Sequence, residues 1–154
     1  IPAGPVGATS LSLSVEQNPA FPTEDRVKDL VNVVFAGEST LFESVSVVLA
    51  DHETVLKLNR KWLDHDFNTD VISFLLEDDP IEGEVYVDVE TASERFLEFS
   101  SDLTCEIERY IVHGLLHLCG YDDASDQERE AMHVLENRYM GAAGKPSSGK
   151  DGET

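Results

Sequence analysis

The chain has 154 residues, 41% of them apolar, and carries 31 acidic against 11 basic side chains for a formal charge of −20. That length supports one domain able to bury about two-thirds of its unfolded surface without staples, and its two cysteines, Cys105 and Cys119, lie in helical or helix-end apolar context that suggests no secreted disulfide framework. The acid excess excludes a broad basic face for nucleic acid and reads first as a salt-adapted or solubilised surface, which leaves at most a local basic rim around Arg60, Lys61 and Arg109.

Residues 1–8 are small and rich in Pro and Gly, and read as a disordered segment. Alternation from Ser10 to Val15 predicts a half-buried strand with Leu11, Leu13 and Val15 inward. Thr23 then caps a helix whose first turn holds Glu24 and Asp25. Its apolar stripe is Val27, Leu30, Val31 and Val34, and Gly37 ends it. Val45, Val47 and Leu49 alternate as a second strand. A helix beginning at Asp51 carries Val55, Leu58 and Trp62 on one face, and Trp62 continues that stripe as a core residue. The polar stretch from His65 to Asp70 is a loop. Val71 to Leu76 is a near-continuous apolar strand suited to a covered position in a sheet. Gly83 to Asp88 supplies a fourth strand, with Val85 and Val87 alternating. Residues 89–99 form a helix with Phe96 and Phe99 near its apolar side.

Leu103, Ile107, Tyr110 and Ile111 lead into the stretch that carries the chemistry, His113-Gly114-Leu115-Leu116-His117-Leu118-Cys119-Gly120-Tyr121-Asp122-Asp123. Histidines four apart share one helix face, so their imidazoles can converge on a single ion. Gly120 lets the helix reverse, and the returning chain brings Asp122 or Asp123 as a third, oxygen ligand. Two nitrogens and a carboxylate with a fourth position open is the pattern of a catalytic zinc. Two core histidines would be costly in this apolar setting without partners. A zinc peptidase would carry a glutamate after the first histidine; Gly114 stands there, which makes that activity a poor reading. Cys119, two residues past His117, turns away from the ligand face.

Ser125-Asp126-Gln127-Glu128 is a capping box opening the last helix, with Met132, Leu135 and Tyr139 inward. His133 reads as a surface residue, and Glu128, Glu130 and Glu136 as exposed helix charges. From Gly141 onward the composition is that of a flexible tail. The expected organisation is therefore 1–8 disordered, 9–140 one domain and 141–154 tail. The order β-α-β-α-β-β-α-α-α implies an α/β (α+β) fold, a mixed sheet covered by helices. No apolar run approaches a membrane span and no basic-then-apolar leader opens the sequence, so a cytoplasmic setting is expected.

The histidine stretch resembles the H-G-x-L-H-L-x-G-Y-D-H signature of the bacterial YbeY-type endoribonucleases at every fixed position but the last. Leu58-Asn59 with Thr69-Asp70-Val71-Ile72-Ser73-Phe74 is similar to that family's L-N-x-x-Y-R and T-D-V-L-S-F blocks, and Gly83-Glu84-Val85-Tyr86-Val87 to its G-D-I-x-I strand. The resemblance implies a four-stranded sheet under about five helices, with the metal helix central and the ion in a cleft between it and the loop before Val71. It implies a zinc-dependent, single-strand-specific endoribonuclease of rRNA processing, ribosome maturation and quality control. One Zn2+ is expected on His113, His117 and Asp123. The expected partners are single-stranded RNA, precursor rRNA and ribosomal components, with neither DNA nor membrane.

The sequence departs from the family pattern in two places. Asp123 stands where the family has its third metal-binding histidine, and Leu63 stands where many members have a phosphate-directed arginine. Arg60, Lys61 and His65 are the residues near enough in sequence to take over that task, so the expected catalytic set is His113, Arg60 and Lys61. Two other classes of function fit the same residues: a ribosome-assembly factor with a structural metal, and a metallohydrolase of small substrates.

Overall fold

The computed structural model describes residues 7–63, 70–99 and 102–144. Along the chain these form β1 (Ala8–Leu13), α1 (Glu24–Gly37), β2 (Phe42–Ala50), α2 (His52–Leu63), β3 (Val71–Asp78), β4 (Ile81–Asp88), α3 (Val89–Phe99), α4 (Leu103–Leu118) and α5 (Asp126–Ala142). The sheet order is β1-β2-β4-β3. β1 and β4 both run parallel to β2, and β3 alone is antiparallel, to β4.

Strand periodicity divides the apolar residues between two faces. Val45, Val47 and Leu49 of β2, Val85 and Val87 of β4, and Val71 point into the main core, where they meet α1, α4 and α5. Ile72 and Ala50 face the other way and form a small second core with Val55 of α2. On α1 the stripe of Val27, Leu30, Val31 and Val34 is fully buried, and Thr23 Oγ1 accepts from the Arg26 amide at its start. Helix α4 is buried on most of its circumference, as a helix between a sheet and other helices must be. Its Ile107, Ile111 and Leu115 are wholly inaccessible, and full burial stabilises each by about 1.5–3 kcal/mol.

A cradle in the sheet sets how close α4 can come. A Cβ on Gly114 would stand 2.6 Å from Val85 Cγ1 and 3.0 Å from Ser73 Oγ. Glycine therefore lets the helix lie directly on β3 and β4, and Ser73 Oγ donates to the Gly114 carbonyl at 2.8 Å. At the other end Gly120 adopts φ +104°, the left-handed turn that reverses the chain.

Several expectations are corrected. β3 is an edge strand, with Leu75 and Leu76 exposed, because its apolar run outlasts the cover that α4 and α2 give its first half. Trp62 is 61% exposed, its ring under Lys61 Nζ at 5.2 Å; the last turn of α2 runs past the small core that Val55 enters. β1 begins at Ala8, inside the segment read as disordered, and Leu13 near its end is exposed. Helix α1 does end at Gly37 as expected, but the left-handed residue that follows is Ser39, at φ 54°, and Gly37 itself lies against the Tyr139 ring. Helix α5 continues through Gly141 to Ala142, within the stretch read as tail. Buried Arg26 secures its end, donating to the carbonyls of Ala143 and Gly144 at 2.7 Å each while forming a bidentate pair with buried Glu108. The side chains of His65, Leu63 and Phe99 lie outside the described residues.

Candidate metal centre

Three side chains converge at the C-terminal half of α4. His113 Nε2 lies 3.1 Å from His117 Nε2 and 3.1 Å from Asp123 Oδ2, and His117 Nε2 lies 3.4 Å from the same oxygen. The helix supplies the two imidazoles, and the turn at Gly120 returns the chain so that Asp123 faces them. Asp122, the alternative third ligand, does not belong to this cluster.

The remaining imidazole nitrogens determine what the cluster can bind. His117 Nδ1 is 2.9 Å from the Tyr121 carbonyl, which can only accept, so Nδ1 carries the proton. His113 Nδ1 is 2.6 Å from Glu136 Oε2 and donates to that carboxylate. In neutral rings both Nε2 atoms are then lone pairs, directed at each other and at a carboxylate oxygen. Only a cation between them removes that repulsion. Tetrahedral zinc with bonds of about 2.0–2.1 Å keeps its ligand atoms roughly 3.3 Å apart, which is the spacing seen here. A carboxylate or carbonyl behind each ligating histidine is the usual support of such sites. The residues present fit a zinc ion.

A proton can serve as that cation too. Burial pulls the His113 imidazole down, but the Glu136 hydrogen bond and charge, followed by Asp70 and Asp123, outweigh it and leave His113 above its ordinary 6.5. Burial raises the Asp70 carboxyl, with the charge of His113 acting against it. Burial likewise pushes the Cys119 thiol up to about 12, which leaves it protonated and a poor ligand. Cys105 and Cys119 are not joined in a disulfide.

The cluster opens on a cavity of about 270 Å³. The side chains of His113, His117 and Asp123 are 20, 27 and 38% exposed, so a bound ion would be within reach of solvent and substrate. Asp70, just before β3, contributes one wall as expected, but α3, α4 and α5 form the rest through Arg95, Arg109, Arg129 and His133.

Arg60 and Lys61 are not brought to this cavity. Both are exposed on the last turn of α2, because Val55 and Asn59 occupy its buried face and turn their successors outward. Of the expected basic rim, only Arg109 lines the cleft. His133 is half exposed, yet it faces the cavity with Nδ1 3.5 Å from Glu136 Oε1.

The largest correction concerns Glu136, read from the sequence as an exposed charge. It is buried, and it bonds His113 through one oxygen and Arg109 through the other. The signal was its spacing: Glu136 is four residues from Met132 and three from Tyr139, on the stripe that packs inward. Glu106 was passed over in the same way, and it is buried one turn before Tyr110 on the face that leads to His113.

With the geometry established, comparisons with known proteins agree. The family model described as Endoribonuclease YbeY matches residues 13–144. A protein named Endoribonuclease YbeY from Salinibacter ruber is 46% identical over 123 residues, covering 73% of this chain and 78% of its own. A second of that name, from Chloroherpeton thalassium, is 34% identical over 120 residues, covering 77% and 85%. The solution structure of TM1509 from Thermotoga maritima superimposes with a TM-score of 0.57 at 25% identity, covering 93% of this chain and 99% of that one. None of the described helices is long and apolar enough to cross a membrane.

Proposed function

The chain belongs to the YbeY endoribonuclease family, and from that premise we propose that it is a zinc-dependent endoribonuclease that cleaves single-stranded RNA during rRNA maturation and ribosome quality control. The observation that carries this reading is the meeting of two lone-pair Nε2 atoms and the Asp123 carboxylate within 3.1–3.4 Å. His113, His117 and Asp123 would hold the ion. When bound, zinc supplies Lewis-acid polarisation of a phosphoryl oxygen and a more acidic water.

The protein's own groups do the rest. Glu136 and the Tyr121 carbonyl lock both imidazoles in the tautomer that presents Nε2. Gly114 fixes the depth of α4 on the sheet, and with it the position of both rings. The exposure of the three donors favours catalysis over a purely structural metal, whose site would be closed.

The test is elemental analysis of the purified chain and of Asp123→Ala, combined with cleavage of a defined RNA. Near-stoichiometric zinc that is weakened in the variant is expected, as is cleavage lost in His113→Ala and on chelation and regained with zinc. A folded protein that takes up no metal after reconstitution would remove this reading. Metal-dependent hydrolysis of small phosphodiesters without cleavage of RNA would replace it with a small-substrate enzyme.

A further inference from the structure

Of the 11 basic residues six are arginines, and three of those, Arg95, Arg109 and Arg129, line the cavity that holds His113 and Asp123. They come from α3, α4 and α5, so no local run of sequence explains their meeting. Four carboxylates share the cavity: Asp70, Glu106, Asp123 and Glu136. A phosphodiester entering there meets like charge unless a cation faces it.

Arg109 is engaged internally. Its Nη1 bonds Glu136 Oε1 at 3.4 Å and Asn137 Oδ1 at 2.9 Å, and its side chain is only 15% exposed. Arg129 differs, being 54% exposed. Its Nη1 donates to the carbonyls of Asp123 at 3.1 Å and Ala124 at 3.4 Å, and its Nη2 to the Asp126 carboxylate. A guanidinium has five N–H donors, so two remain without a protein acceptor among the described residues. The side chain is thus held in place with donors to spare, and its anchor is the backbone of a candidate metal ligand.

We propose that Arg129 is the phosphate-binding residue of this cleft, contacting the RNA backbone beside the metal. The inference rests on the endoribonuclease reading above. Arg129 suits the task because its fork matches two phosphate oxygens and because its anchoring offsets part of the entropy of ordering a long side chain.

The test titrates a short fluorescent single-stranded oligoribonucleotide with the full chain, zinc-loaded and, separately, chelated so that no turnover occurs. Arg129→Met and Arg129→Lys are compared with Arg138→Met, which removes the same charge from an exposed position of α5 outside the cavity. Arg129→Met is expected to weaken binding roughly tenfold and to reduce the slope of log K against log salt by about one. Arg138→Met should change affinity less than about twofold, and Arg129→Lys should recover part of the loss. Indistinguishable behaviour of Arg129→Met and Arg138→Met overturns the proposal. So does a loss matched by an equal fall in thermal stability that lysine does not rescue, since Arg129 would then only anchor its loop. If the wild type cleaves RNA with zinc and Arg129→Met still binds like Arg138→Met, this inference alone fails. If the wild type neither binds nor cleaves RNA, the reading beneath it fails as well.

Discussion

Glu136 Oε2 stands 2.6 Å from His113 Nδ1, a contact from α5 to α4 that joins a buried carboxylate to a candidate metal ligand. Its charge makes the imidazole a better electron donor, and its position prevents the ring from turning. Glu136→Gln keeps an acceptor but removes the charge. Zinc affinity, measured by competition with a chromophoric chelator, is expected to fall about 10- to 100-fold. Unchanged affinity would mean that Glu136 matters only to packing and to Arg109.

The same contact sets a pH dependence. The folded-state pKa of His113 is raised above its ordinary 6.5, with burial opposing and Glu136, Asp70 and Asp123 prevailing. Protonation therefore stabilises the metal-free fold, fully below about 6.5, and the contribution is lost as pH rises through the raised value. Melting of chelated protein should show wild type losing stability relative to His113→Gln across that window. Zinc displaces this proton, so the gain in melting temperature on adding zinc should grow as pH rises. Parallel curves for wild type and variant would remove His113 as the titrating group.

Gly114→Ala tests the depth of α4. The added methyl would stand 2.6 Å from Val85 Cγ1, and Val71 Cγ2 at 3.1 Å closes the other side. Because α4 cannot move away without losing the Ser73 bond to the Gly114 carbonyl, overpacking should cost about 1–3 kcal/mol. That corresponds to a lowering of melting temperature by roughly 2–10 °C. A neutral effect would show that helix and sheet can separate at this point without penalty.

Much of this fold can be read in the sequence, because period and capping are local properties. The four strands, the five helices and their order follow from alternation, stripes, Thr23 and the capping box at Ser125. The motif from His113 to Asp123 pointed to the candidate metal cluster for the same reason: its three groups lie within one helix turn and one glycine reversal. Tertiary pairings were hidden. Arg26 and Glu108 are 82 residues apart, and His113 and Glu136 are 23 apart. Nothing in the neighbourhood of a charged residue says whether its partner lies across the core. Arg60 and Lys61 misled because nearness in sequence to a family position says nothing about which face of α2 they occupy.

The Arg26–Glu108 pair should dominate the effect of charge on stability. Both residues are buried, with Arg26 Nε 3.0 Å and Nη2 2.9 Å from the two carboxylate oxygens. Glu108→Ala leaves the guanidinium without its counter-charge and should cost about 3–5 kcal/mol in chemical denaturation. Replacing both residues with methionine should recover much of that loss, since an apolar pair avoids desolvation altogether. If the double variant is no better than the single one, the arginine's hydrogen bonds to Ala143 and Gly144 carry the effect.

Asp123→His tests the most unusual feature of the centre. A carboxylate ligand makes the site one unit more negative than an imidazole would, and Glu136 and Asp70 already stand behind His113. More negative charge at the metal weakens its pull on a phosphoryl oxygen and repels an anionic substrate. The substitution is sterically open, because Asp123 lies on a turn with 38% of its side chain exposed. At matched zinc content, kcat/KM for cleavage of a defined RNA should rise about tenfold, on the order of 1 kcal/mol of transition-state stabilisation. Equal or lower kcat/KM with zinc bound would mean that Asp123 is tuned to its own surroundings, with Arg129 at its backbone supplying the compensating charge. Adding Arg129→Met in both backgrounds would then separate the cases, since the arginine should matter more beside aspartate than beside histidine.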